Sequence, residues 1–240
     1  MAIYRPIKKW LLPLVFALIG LAISLSFFPS KQDAIYKEWT RSLNTLNDQV
    51  YEVETSFIVD NTIYSESKGH WNEPLTYYQV TTPFNDGTSF QFDVFFTPEK
   101  FYIQSGDEWS YGDMPHRILN EFIPLDDPFN WIENILQDAD TITKQATNST
   151  ITYKALFEDF SDIEFRGIRL QKQEKTYLIM TINNNGAIGI TFDVKPVRPD
   201  DIGLFTSYPK SFTYKITLVG NSEEQKIILP NEALNANPIE

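Results

Sequence analysis

The chain has no cysteine and only two histidines, His70 and His116. Without cysteine it can form neither disulfides nor thiolate metal sites, and it cannot carry the acylated cysteine of a lipoprotein. Two histidines on separate segments supply no local His pair. No G-x-S-x-G, H-E-x-x-H, P-loop or G-x-G-x-x-G stretch occurs, so nucleophilic, zinc-hydrolytic and nucleotide chemistry lack sequence support. Asp138 and Asp140 lack the glycine and terminal glutamate of a calcium loop. Glu52, Glu54 and Glu66 read as a solvated strand face, not as a glycosidase pair. We therefore expect no catalytic residue, no metal ligand and no cofactor, and the chain reads as non-enzymatic.

Positive charge is also scarce. Residues 1–30 hold three basic groups and no acid, which leaves 17 Lys plus Arg against 32 Asp plus Glu in the remainder, near −15. Such a surface repels phosphate backbones and anionic headgroups, which excludes nucleic acid as a partner and argues against a domain lying flat on an acidic bilayer.

What the chain does have is one long uncharged apolar run, Trp10 to Phe28, with Arg5, Lys8 and Lys9 before it and Pro29-Ser30 after it. Nineteen residues at about 1.5 Å each approach the ~30 Å of a bilayer's hydrocarbon. The basic flank predicts a single-pass protein of the cell membrane, N-terminus in the cytoplasm and everything after Ser30 outside. A small-x-small site at Ser24 and Ser26 is compatible with a cleaved signal, but the length of the run and Phe27-Phe28 favour a retained anchor. The domains are thus residues 1–30, a cytoplasmic stub and transmembrane anchor, and residues 31–240, an extracytoplasmic unit of a size that commonly stays single.

Within that unit, Ile35, Trp39, Leu43, Leu46 and Val50 recur at helical spacing from Lys31 to Gln49. Period two then takes over at Tyr51 to Val59, with further strands at Ile63 to Trp71 and Leu75 to Thr82. A three-strand meander follows in TSFQFDVFF, KFYIQS and EWSYG, in which Phe90, Phe92, Val94 and Phe96 share a face. His116 to Phe122 reads as a short helix. Asp127-Pro128 sets a capping acid before a proline, and Phe129, Ile132, Ile135, Leu136 and Ala139 continue at helical spacing. Hairpins are expected at Ile142 to Ala146 with Thr150 to Leu156, and at Tyr177 to Ile182 with Ala187 to Val194. Residues Asp159 to Lys175 fit a short helix loosely, although Ile163 and Phe165 alternate until Gly167 interrupts. Phe212 to Leu218 is a strand, Lys226 to Leu229 is expected to close the sheet, and Asn235 to Glu240 to fray. The fold class is α+β: a single N-terminal transmembrane helix followed by a curled antiparallel sheet. Ten or eleven strands exceed what an open twisted sheet holds without curling, so an incomplete barrel is expected, with helices on its concave face.

An N-terminal anchor, a helix, a hairpin-rich half, the stretch KFYIQSGDEWSYGDM, the helix DDPFNWIENIL, further hairpins and a terminal ILPNEAL together resemble the exported lipid-carrier superfamily of LolA, LolB and LppX-type proteins. The resemblance spans roughly Asp33 to Ala236 and rests on element order and three short motifs. It implies that acyl chains bind between sheet and helix. Carried over, Phe90, Phe92, Val94 and Phe96 with Ile188, Ile190 and Phe192 become a pocket wall, and Phe129, Ile132, Ile135 and Leu136 a lid. Burial is worth about 1.5 to 3 kcal/mol per side chain whether the partner is protein or lipid, so energetics alone does not separate a pocket from an ordinary core. The missing acylated cysteine departs from the family's lipoproteins and makes local hand-over the expected mode. Two functions are therefore carried forward: a membrane-tethered binding protein holding a lipid or acyl chain near the outer leaflet, or an interaction or sensor module with a filled core that binds an envelope protein. For the second, exposed Trp71, Tyr77, Tyr78 and Trp109 are the expected contact surface.

Overall fold

The computed structural model describes residues 13–20, 30–47, 49–71, 75–84, 86–116, 127–158, 164–165, 168–169, 174–200, 207–220 and 227–239. Of the expected membrane helix only residues 13–20 (α1) are described; they are helical, with Leu14, Phe16 and Leu18 exposed. Among the described residues no helix is long and apolar enough to cross a membrane. The rest of the run at 10–28, and the expected short helix 116–122 beyond His116, lie outside the described residues.

Helix α2 (Lys31–Asn47) begins at a reciprocal cap: the Asp33 amide donates to Ser30 Oγ and the Ser30 amide to Asp33 Oδ2, both at 3.1 Å. Two otherwise unpaired donors are satisfied at once. The predicted stripe buries Trp39 and Leu43 completely.

Strands β1 (Tyr51–Val59), β2 (Thr62–Trp71), β3 (Thr76–Pro83), β4 (Ser89–Phe96), β5 (Lys100–Ser105) and β6 (Glu108–Asp113) form an antiparallel meander. The first turn uses positive φ at Asp60 and Asn61, residue types that tolerate the left-handed region. Helix α3 (Pro128–Leu136) follows, then β7 (Thr141–Ala146), β8 (Thr150–Phe157), the two-residue strands β9 (Glu164–Phe165) and β10 (Ile168–Arg169), β11 (Thr176–Asn183), β12 (Ile188–Val194) and β13 (Phe212–Gly220). A 3₁₀ turn at Asn231–Asn235 and β14 (Asn237–Pro238) complete the described chain.

Twelve strands make one open sheet in the order β14-β6-β5-β4-β3-β2-β1-β13-β12-β11-β8-β7, and β9 and β10 pair separately. All pairs in the large sheet are antiparallel except β14 with β6. The meander and the C-terminal hairpins are joined by β1 against β13, nine residue pairs from Tyr51↔Gly220 to Val59↔Phe212. One sheet face, together with α2 and α3, supplies a single large core cluster. Trp39 stacks on Tyr153 of β8 at 5.2 Å, and Trp131 of α3 meets Phe192 of β12 edge-on at 5.5 Å.

The architecture corrects three expectations. Among the described residues the large sheet has twelve strands, against the expected count of about ten or eleven. Within 159–175, where a short helix is expected, residues 164–165 pair with 168–169 as β9 and β10; the alternating spacing at Phe165 prevails over the loose helical one there, and 159–163, 166–167 and 170–173 lie outside the described residues. Residues 235–239 do not fray, and 227–230 is not a strand. Ile227, Leu229 and Ala236 pack, with buried Ala233, over Phe95 and Trp109 in a second cluster, and β14 then pairs with β6. Apolar cover for that cluster gives the tail a reason to stay docked.

Candidate ligand pocket between helix and sheet

Helix α3 is placed by its cap. Asp127 Oδ1 accepts from the amides of Phe129 at 3.1 Å and Asn130 at 2.9 Å, and Pro128 occupies the first turn, where no amide is missed. From that start, Phe129, Ile132, Ile135 and Leu136 fall on one buried face, as their spacing predicts.

On the sheet side, β4 presents Phe92, Val94 and Phe96, and β12 presents Ile188, Ile190 and Phe192, all buried. Registers fix their neighbours: Phe92 lies opposite Val80, Val94 opposite Tyr78, Ile190 opposite Ile216 and Phe192 opposite Tyr214. All ten of these helix and sheet residues belong to the same cluster. Phe90 does not. It sits at the start of β4, 43% exposed, with its ring 5.6 Å from that of Phe92.

Among the described residues, the side chains that face each other between α3 and the sheet are almost completely buried. Ile132 and Ile188 have no water-accessible surface, and Ile190, Leu136, Phe129 and Phe192 keep at most 2%. A void able to hold water would leave accessible surface on its lining. Aromatic rings account for much of the filling: Phe129 lies 5.7 Å from Tyr51 and 5.2 Å from Trp71. Trp131 lies 6.4 Å from Tyr214, itself 4.5 Å from Phe57. Offset and edge-on contacts of this kind add to the area term.

Several polar groups at this core are phenols. Tyr51 donates its hydroxyl to the Leu46 carbonyl at 2.9 Å, and burial pushes its pKa up to about 12. Burial also raises Tyr214 well above the ordinary phenol range. Both effects follow from the cost of a phenolate in an apolar setting. On α2, Glu38 accepts from Lys144 and from the Tyr153 hydroxyl, and the Lys144 contact holds its carboxyl below the usual range. Trp39 Nε1 and Thr40 Oγ1 are buried without a partner.

The aromatics expected at the surface are elsewhere. Trp71 and Tyr78 are fully buried on the inner face, Trp109 is buried beneath the C-terminal segment, and Tyr77 is half-buried beside Phe95. Alternation identified these strands but not that their outer face is also covered. Trp39 and Tyr153, which bind α2 to the sheet, were visible only as members of a stripe and an alternation. His70 is half-buried in β2 with Nδ1 unpartnered, and His116 lies 5.3 Å from the Phe101 ring. Glu52, Glu54 and Glu66 are exposed, with Glu54 paired to Lys68 at 2.8 Å. Among the described residues no cluster of His, Asp or Glu has the geometry of a metal site. A cavity of about 590 Å³ opens beside β8, β11 and β12, lined by Glu158, Glu174, Lys175, Tyr177 and Lys195. It is open and four of its five lining residues are charged, unlike an acyl-chain pocket.

No family model matches the chain, and no curated protein sequence matches it.

Proposed function

We propose that the chain is a membrane-tethered, non-enzymatic extracytoplasmic module that acts through its surface while its core stays filled. The observation that carries this reading is burial at α3 and the sheet: Ile132 of α3 and Ile188 of β12 have no accessible surface and belong to one core cluster. The uncharged run at Trp10 to Phe28 is the tether, with the basic flank of Arg5, Lys8 and Lys9 inside the cell and an envelope protein as the partner outside. The sheet is an incomplete barrel: flat, twelve strands at about 4.8 Å would spread over roughly 50 Å. Two helices of 17 and 9 residues do not cover such a width, yet a single core cluster joins them to strands from both halves of the sheet.

Native mass spectrometry of the segment from Ser30 onward, secreted and purified without detergent, tests the filled core. The expected spectrum is that of protein alone. A stoichiometric lipid adduct would overturn the reading. Cross-linking of the full chain in membranes is then expected to capture one partner at defined stoichiometry.

The second reading, carriage of a lipid or acyl chain as the LolA-like resemblance implies, is favoured by one observation. The sheet order is open, with β7 at one edge and β14 at the other, so α3 has room to lift without breaking a closed barrel. In that state Phe92, Val94, Phe96, Ile188, Ile190 and Phe192 would line the pocket and α3 would be its lid.

A further inference from the structure

We infer that the domain stands end-on on the bilayer, with the end of the sheet that carries Ile63, Phe84, Phe90 and Val197 in contact with the lipid interface. This rests on the tether reading and adds an orientation and a contact surface to it.

The strand registers define that end. Phe57 to Val59, Thr62 and Ile63, Pro83 and Ser89, and Ser105 and Glu108 are brought to the same end of the meander by its antiparallel pairing. On the other half, Val194 pairs with Phe212, Phe157 with Thr176, and Thr141 with Leu156. Because Val59 also pairs with Phe212, both halves point the same way. Ile63 is 42% exposed, Phe84 53%, Phe90 43% and Val197 41%. Four of the exposed large apolar side chains among the described residues thus lie at one end of the sheet, whereas Val219 lies at the other end and Ile228 and Leu234 on the C-terminal segment; the end that carries four is the candidate contact site.

The start of α2 lies at this same end. Gln32 Nε2 donates to the Asp140 carbonyl at 2.8 Å, and the Asp140 amide donates to Leu156 at 3.0 Å, next to the first residue of β7. The Ser30–Asp33 cap fixes where α2 begins, and Trp39 and Leu43 lock that helix into the core. Only Pro29 separates Ser30 from Phe28, the last residue of the apolar run. Two residue steps reach at most about 7 Å. With a single residue between Phe28 and Ser30 in sequence, a chain whose apolar run is embedded holds this end of the sheet near the headgroups.

The tip at Phe84 is built to present its ring. The Phe84 amide donates to Thr88, the Gly87 amide donates back to Phe84, and Asp86 Oδ1 accepts from the amide and hydroxyl of Thr88. Gly87 supplies the positive φ that the turn needs. Asp86 is therefore engaged within the turn beside the exposed ring. Exposed Lys31, Lys195, Arg198 and Lys210 share this end with exposed Asp60, Asp107, Glu108 and Asp140, so the contact is made by the apolar side chains and not by a charge match to phosphate.

The absence of native cysteine makes the test direct. Single cysteines are introduced in the full chain as Ile63→Cys, Phe84→Cys and Val197→Cys, with Asn148→Cys in the β7–β8 turn at the opposite end as the control. Each is labelled with a polarity-sensitive dye and reconstituted into phosphatidylcholine vesicles carrying headgroup-level quenchers. The expected result is blue-shifted emission and several-fold stronger quenching at positions 63, 84 and 197 than at 148. Equal quenching at all four positions, in a chain that floats with the vesicles after carbonate washing, overturns the end-on contact and leaves the tether standing. A chain that does not float overturns both. Replacing Phe84 and Phe90 together by serine is expected to lower quenching at 197 while flotation is retained; unchanged quenching would count against those rings as the contact.

Discussion

Trp71, the last residue of β2, stands edge-on to Phe129 in the first turn of α3, ring centroids 5.2 Å apart at 71°. Tyr51, the first residue of β1, flanks the same phenylalanine at 5.7 Å. The Asp127 cap sets the start of α3, and this aromatic trio sets what it packs against. Phe129→Ala removes the ring from a site with 2% exposure and should cost about 3–5 kcal/mol. Urea unfolding followed by tryptophan fluorescence should show a lower midpoint with an unchanged slope.

The local half of this relationship was legible in the sequence. Asp127-Pro128 and the spacing of Phe129, Ile132, Ile135 and Leu136 announce a capped amphipathic helix, and alternation marks Phe92, Val94 and Phe96 as one face. Which aromatics meet α3 is a matter of register and sheet order, long-range facts to which no local period responds. The same limit hid the C-terminal segment. Ile227, Leu229 and Ala233 are too short a set to show a period, and their burial depends on the outer face of β3 to β6 lying beneath them. Phe90 marks a different limit, because alternation assigns a face but does not say where along the strand cover ends.

Gly69 lies in β2 opposite Tyr78 of β3, and a Cβ built on it would sit 1.8 Å from the Tyr77 carbonyl oxygen. That neighbour is backbone and cannot rotate away. Gly69→Ala should therefore force β2 and β3 apart and destabilise the fold by more than about 1 kcal/mol, beyond any gain from alanine's stiffer unfolded chain. Thermal unfolding by circular dichroism checks it. Gly189→Ala, where nothing lies within 4 Å of the added Cβ, is the control and should leave the midpoint nearly unchanged.

Alkaline stability should be set by buried phenols. Burial pushes Tyr51 up to about 12, and burial with the nearby Asp93 carboxylate does the same for Tyr77. An unfolded tyrosine titrates near 10. Between about pH 10 and 12 the folded state keeps protons that the unfolded state has lost, so stability is full below pH 10 and falls as pH rises. Native absorbance at 295 nm should show fewer tyrosinates at pH 11 than the same chain in denaturant, and the urea midpoint should drop between pH 9 and pH 11. Tyr51→Phe should flatten part of that drop.

Phe90 and Phe92 lie two residues apart on one face of β4, yet their substitution should differ sharply. Phe92 keeps 4% exposure within the core cluster, whereas Phe90 keeps 43% outside it. Phe92→Ala deletes a ring from packed surroundings and should cost about 3–5 kcal/mol. Phe90→Ala removes a ring already largely in water and should stay within about 1 kcal/mol, most of it from the lost contact with Phe92. Comparable losses for the two, measured by urea unfolding of both variants, would mean that the row is covered to its end and that Phe90 belongs to the core. A large difference, combined with loss of vesicle contact on replacing Phe90 and Phe84, would separate the two roles of one strand face: packing along most of its length, and contact with the bilayer at its tip.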